Sequence, residues 1–130
     1  MNEKKIILII DDEPIILQSL KIQLERIFPD DYWVEPASSG EEAFELLDEL
    51  YSNKNNLVLV ISDYNLDTLK GTDVLTKTAQ LFPNASKVIL SGQMDINEVE
   101  RFSNQYKLDL QIGKPWDINE IYELINTRIQ

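Results

Sequence analysis

The sequence contains neither cysteine nor histidine. Disulfides and thiolate chemistry are therefore excluded, and so are the commonest general base and the commonest zinc ligand. Positive charge is scarce as well: 12 Lys and Arg stand against 23 Asp and Glu, a net charge of −11. Such a surface repels nucleic acid and anionic membrane, which argues against direct nucleic-acid binding and against membrane contact. No window approaches the ~18 uninterrupted apolar residues of a membrane span. Lys4 and Lys5 are followed by only five apolar residues before the acids begin, too few for a signal peptide. The expectation is a cytoplasmic protein whose chemistry runs on carboxylates, hydroxyls, lysine or a hard metal ion.

What remains is ordinary globular material. At 130 residues, 43% apolar and 27% charged, the chain is expected to form one domain over residues 1–130. A domain of this size buries roughly 65% of the surface exposed by its unfolded chain. Strand-length apolar runs occur at 5–10, 32–37, 57–61, 87–90 and 108–112, and helical periodicity at about 14–28, 40–51, 71–82, 95–106 and 117–129. In the fourth helical stretch Ile96, Val99, Phe102 and Tyr106 step along one face. Pro14, Ser39 with Gly40, Asp95 and Asp117 mark helix starts. Five strands alternating with five helices imply α/β architecture, a parallel sheet covered on both faces. The first and third strands are apolar on both faces, as buried parallel strands must be. Pro36 cannot complete a central ladder, so the second strand belongs at an edge. That fits the flavodoxin-like (βα)5 three-layer sandwich, with a five-stranded sheet of order 2-1-3-4-5 and ligands at the carboxyl ends of its strands. No repeat or linker interrupts the pattern, and the last helix runs nearly to Gln130, so no output domain is expected within these residues.

In that topology the residues just past strands 1, 3, 4 and 5 converge: Asp11 and Asp12, Asp63, Ser91 and Gly92, and Lys114. Three carboxylates without histidine or cysteine suit a hard, oxygen-ligated ion, Mg2+ first. Their repulsion should raise the pKa of at least one of them when no cation is present. A lysine and a hydroxyl opposite provide the positive charge and the donor that a transferring phosphoryl group needs, and a carboxylate can serve as nucleophile.

The pieces IIDDE, SDYNLDTLKGTDVL with Gly71 eight residues after Asp63, LSG and GKPW resemble, over essentially the whole chain, the receiver domain of two-component response regulators, and among them the chemotaxis-regulator-like kind. The resemblance implies phosphorylation of Asp63 by a histidine kinase, a phosphotransfer protein or a small phosphodonor. It implies Mg2+ held by Asp12, Asp63 and the backbone carbonyl of Asn65, with Asp11 acting through water. Lys114 would pair with Asp63 and then with the phosphoryl group, Ser91 would move to it, and Gly92 would flank it. A cis peptide between Lys114 and Pro115 is implied too. The implied partners include a downstream output domain or protein, with a homodimer left open. The domain would catalyse only its own phosphorylation and dephosphorylation, as a signalling domain rather than an enzyme.

Two positions depart from the family pattern. Gln111 stands where an aromatic or histidine switch residue is usual, and Leu66-Asp67 replaces the common Met-Pro. The second change should reshape the loop and add a charge near the site. Polar Asn65 and minimal Gly92 should admit water, hence appreciable self-dephosphorylation. Taken singly, each motif has a plainer explanation: an acidic helix cap, an Asx turn, a tight turn, a loop before a helix. Together, at one end of one sheet, those explanations require a fourfold coincidence. Glu13 is read as a cap of the first helix or an outer neighbour of the metal, Trp116 as a packing residue. Glu41, Glu42, Glu45, Asp48 and Glu49 are read as solvated surface. Three rivals remain. A degenerate receiver working as a phosphorylation-independent binding module is kept alive by Gln111. A small Mg2+-dependent phosphatase would need an acid where Asn65 stands. A flavin-phosphate binder would need a Ser/Thr/Gly-rich loop where DDEP stands.

Overall fold

The computed structural model describes residues 4–93 and 95–128. Its elements are β1 (Lys5–Ile10), α1 (Pro14–Ile27), β2 (Tyr32–Ala37), α2 (Gly40–Ser52), β3 (Asn56–Asp63), α3 (Gly71–Leu81), β4 (Ser86–Ser91), α4 (Ile96–Gln105), β5 (Leu110–Gly113) and α5 (Ile118–Arg128). The expected helical position Ile129 lies outside the described residues. All strand pairs are parallel and the order is β2-β1-β3-β4-β5, the flavodoxin-like arrangement. Pro36 sits opposite Ile9 on the outermost strand, where its missing N–H interrupts no second ladder. Among the described residues no helix is long and apolar enough to cross a membrane.

Side chains alternate across a strand, and here both sides are buried. Ile6, Leu8 and Ile10 of β1 face one core with Ala43 and Leu47 of α2, Val74 and Leu75 of α3, and Val99 and Phe102 of α4. Ile7 and Ile9 face the other, with Leu20 and Leu24 of α1 and Ile121, Leu124 and Ile125 of α5. Each fully buried Leu or Ile contributes about 1.5–3 kcal/mol by leaving water. A charge anywhere in Ile6–Ile10 would therefore be ruinous on either face, and the first acids come only where the strand ends.

Helix starts follow ordinary capping chemistry. Ser39 accepts the Glu42 N–H at 3.0 Å, and the Glu42 carboxylate reaches back to the Ser38 N–H at 2.6 Å. Asp95 accepts the N–H groups of Asn97 and Glu98, and Asp117 that of Asn119. Pro14 occupies the first turn of α1. Glu13 corrects one expectation: it stands at the N-cap position of α1, yet its side chain makes no cap bond. The Glu13 N–H instead donates to Asp11 Oδ1 at 2.9 Å. The acidic residues of α2, Glu41, Glu42, Glu45, Asp48 and Glu49, are exposed as expected, with Glu41 accepting from Thr68 and Asp48 pairing with Lys77 at 3.0 Å.

The strand ends differ from the sequence pattern in an instructive way. β3 continues through Ser62 and Asp63, which pair with Ile89 and Leu90 of β4. β5 begins only at Leu110, opposite Val88. Ile96 begins α4 but is 66% exposed, because the first turn projects beyond the core that Val99 and Phe102 reach.

Candidate functional site

Two strand ends deliver the three acids. Asp11 follows β1 and is 1% exposed, Asp63 closes β3 and is 5% exposed, and Asp12 is half-buried beside them. One carboxylate oxygen from each lies within 4.8 Å of the others. Lys114, just past β5, enters from the opposite side. Its Nζ lies 2.9 Å from Asp11 Oδ2, 3.2 Å from Asp63 Oδ1 and 3.9 Å from Glu13 Oε1. The resemblance implies a pairing of Lys114 with Asp63; the structure has that contact and adds Asp11 as the nearer partner. The Lys114–Pro115 peptide is cis.

Burial and mutual repulsion set the electrostatics. Burial pushes the Asp63 carboxyl up to about 6, the Asp11 charge pushes further the same way, and Lys114 opposes both. Asp12 is raised first by burial, then by the charge of Asp67, which also hydrogen-bonds it, and by Asp11. Repulsion is thus present as the three-acid pattern required, but desolvation is the larger cause for both groups. Burial lowers the Lys114 ammonium, yet its bonds and charge contacts with Asp11 and Asp63 outweigh that and leave it raised.

The loop after Asp63 is closed tightly. The Gly71 N–H donates to the Tyr64 carbonyl at 2.9 Å, and Asn65 and Lys70 form an antiparallel bridge. A Cβ on Gly71 would lie 2.3 Å from the Asp63 carbonyl oxygen, so no other residue fits there without moving the backbone. The spacing of glycine and aspartate is thus a steric necessity of this turn. Across the site, Ser91 ends β4 buried, and its hydroxyl donates to the Gln93 carbonyl. Asn65 Nδ2 donates to that same carbonyl at 3.1 Å. Gly92 is exposed, and a Cβ there would meet nothing within 4 Å. Gln111 is exposed on β5 opposite Ile89, away from the convergence of the acids. Trp116 packs against the α1/α5 core and donates from Nε1 to Gln23 at 2.7 Å, which ties the start of α5 to α1.

A second constellation went unread in the sequence. The Glu98 carboxylate accepts from Lys70 Nζ at 2.9 Å and from Thr72 Oγ1 at 2.8 Å. It joins the first turn of α4 to the end of the loop after Asp63. Its partners are 28 and 26 residues away, and no local pattern reports them. The hard, anionic oxygen set of Asp11, Asp12 and Asp63 fits a divalent cation of the Mg2+ type.

Comparison with known proteins bears on the same residues. The response regulator receiver domain family matches residues 7–126. The transcriptional regulatory protein GlrR of Escherichia coli K12 is 26% identical over 124 residues, which is 95% of this chain and 26% of that protein. This chain therefore spans about a quarter of the length of that curated relative. Among solved structures, a response regulator receiver domain protein from Clostridium thermocellum is 30% identical with a TM-score of 0.82, over 96% of this chain and 94% of that one. A CheY-like receiver domain protein from Methanospirillum hungatei JF-1 is also 30% identical, with a TM-score of 0.78 over 95% and 92%. The acids at the strand ends, the turn closed by Gly71 and a family match over residues 7–126 agree: this chain belongs to the response regulator receiver domains of two-component signalling.

Proposed function

We propose that Asp63 is the phosphoacceptor, and that residues 1–130 work as one cytoplasmic switch domain, phosphorylated by a histidine kinase or phosphotransfer protein. The observation that carries this reading is Asp63 itself, buried at a strand end between two further carboxylates and the Lys114 amine. An oxygen of Asp63 attacks the phosphorus of a phosphohistidine, the P–N bond breaks, and the electron pair leaves on the imidazole nitrogen, which is then protonated. Lys114 is within reach of the reacting oxygen and offsets charge as it transfers. Asp12, Asp63 and the Asn65 backbone carbonyl would hold Mg2+, with Asp11 acting through water. When bound, the ion supplies charge neutralisation at the phosphoryl oxygens. Ser91 must let go of the Gln93 carbonyl before its hydroxyl can donate to the phosphoryl group. The open space beside Gly92 admits the water that later hydrolyses the acyl phosphate, returning Asp63 and inorganic phosphate.

Output is altered affinity for a partner domain or protein rather than turnover of a separate substrate. The length of the GlrR relative supports a larger parent architecture, with this segment as its regulatory part. The deciding experiment is incubation with Mg2+ and a small acyl phosphate, followed by intact mass. A gain of one phosphoryl group that disappears in Asp63→Asn is expected. An unchanged mass in the parent protein, or an equal gain in the variant, removes Asp63 from the role.

A further inference from the structure

The segment from Gln93 to Glu98 contains the β4–α4 loop and the first turn of α4, and residues 65–72 hold it at both ends. At the near end the Gln93 carbonyl accepts from Ser91 Oγ and from Asn65 Nδ2. At the far end the Glu98 carboxylate accepts from Lys70 Nζ at 2.9 Å and Thr72 Oγ1 at 2.8 Å. The two ends differ in what phosphorylation asks of them. Ser91 has one hydroxyl hydrogen, which cannot serve Gln93 and a phosphoryl oxygen together. The far end uses none of the acids around Asp63, and its carboxylate is largely shielded, at 20% side-chain exposure.

Lys70 connects that end to the neighbour of Asp63: its Nζ lies 5.8 Å from the ring centroid of Tyr64, while its own N–H is fixed by Asp73 at 2.9 Å. The Tyr64 hydroxyl is buried near the Glu98 carboxylate. Residues from Asp63 to Thr72 therefore present a braced edge to α4, and β5 offers no aromatic at Gln111 to relay a change.

We infer that Glu98 is a positioning residue that, with Lys70 and Thr72, pins the first turn of α4 to the end of the loop after Asp63 and the start of α3, so that phosphorylation, by drawing Ser91 away, loosens the Gln93 end alone and α4 turns about its pinned end. This rests on Asp63 being the phosphoacceptor. The route from Asp63 to α4 then crosses directly from the loop after β3 and does not need position 111. A merely structural pair would stabilise α4 equally in both states, whereas a pivot matters once Ser91 has left the Gln93 carbonyl.

The test is backbone amide hydrogen exchange with and without beryllofluoride and Mg2+, on the parent protein and on Glu98→Ala, Lys70→Met and Lys70→Arg. Adduct formation is read by fluorine NMR in the same samples. In the parent protein the adduct should speed exchange at Gly92, Gln93 and Asp95 by roughly fivefold or more and leave Val99–Gln105 unchanged. In Glu98→Ala and Lys70→Met the faster exchange should spread through Val99–Gln105 only when the adduct is present, and Lys70→Arg should restore the parent pattern. Lys70 is 54% exposed on its side chain, so its variants keep the test alive should Glu98→Ala not fold. A full adduct signal with α4 exchange matching the parent in both variants overturns the pivot and leaves Asp63 in its role. Equal loosening with and without adduct overturns it too. No adduct in the parent protein removes the phosphoacceptor reading, and the pivot with it.

Discussion

Two loops border the acidic cluster, and their glycines stand in opposite circumstances. After β3, Gly71 packs so closely that a Cβ would lie 2.3 Å from the Asp63 carbonyl, and hydrogen bonds from Gly71 and Lys70 close the turn. After β4, Gly92 is exposed with nothing within 4 Å of where its Cβ would be. The first loop holds Asp63 tightly in place; the second is held mainly by hydroxyl and amide bonds to one carbonyl. Rigidity is concentrated where the buried charge is placed, and open space lies beside Gly92.

The harshest way to break this contrast is Gly71→Ala. With backbone rather than a flexible side chain in the way, the loop must move, and a loss of about 3 kcal/mol or more is expected by urea denaturation. A loss below about 1 kcal/mol would show that the turn is not rigid.

Removing the buried charge that the rigid loop holds should act in the other direction. Burial raises the Asp63 carboxyl to about 6 in the fold from its ordinary value of 3.8, so the native state binds more protons between those values. Stability contributed by this group is therefore full below about pH 4 and is lost as pH rises through about 6. Without divalent cations, Asp63→Asn should exceed the parent protein by about 2 kcal/mol near pH 7.5, a figure below the full shift because Lys114 loses a partner. The gap should close on acidification towards about pH 4, and Mg2+ should narrow it at neutral pH by stabilising only the parent. Thermal unfolding across pH reads it; a gap independent of pH would mean that Asp63 carries no raised pKa.

Asp73→Ala takes away the carboxylate that holds the Lys70 N–H, and should cost about 1 kcal/mol. The cost should fall on the closed loop, seen as faster exchange at Lys70 with Gly92 unaffected. Gly92→Ala is the mildest change. It should leave stability within about 0.5 kcal/mol, since space is open and the glycine is not in the left-handed region. Its methyl group should slow loss of phosphate from the labelled protein by roughly threefold through crowding of the approaching water, about 0.7 kcal/mol on the barrier. Faster loss would place the water's path elsewhere.

Much of this architecture is visible in residue order. The two-sided apolar runs of β1 and β3, the edge-marking Pro36 and the caps at Ser39, Asp95 and Asp117 all rest on interactions within a few residues or on strand periodicity. Other features depend on distant partners. Asp63 lies inside β3 because β4 pairs as far as Leu90. Glu13 stands at the N-cap of α1 without a side-chain cap bond, and its N–H is bound by Asp11. The Gln93 carbonyl is backbone, so no side-chain pattern could point to it, and the family resemblance drew attention to position 111 rather than to Glu98.

Residue order by itself decided which chemical groups stand at the strand ends and excluded soft-metal, thiol and histidine chemistry, because those are matters of composition and short-range pattern. Tertiary structure alone decided how the groups act on one another. It made Asp11 the nearer partner of Lys114, lifted Asp63 to about 6 and brought Glu98 to Lys70 and Thr72. Desolvation and Coulomb energy depend on burial and on distances of a few ångströms, and only the packed sheet and its helices set those.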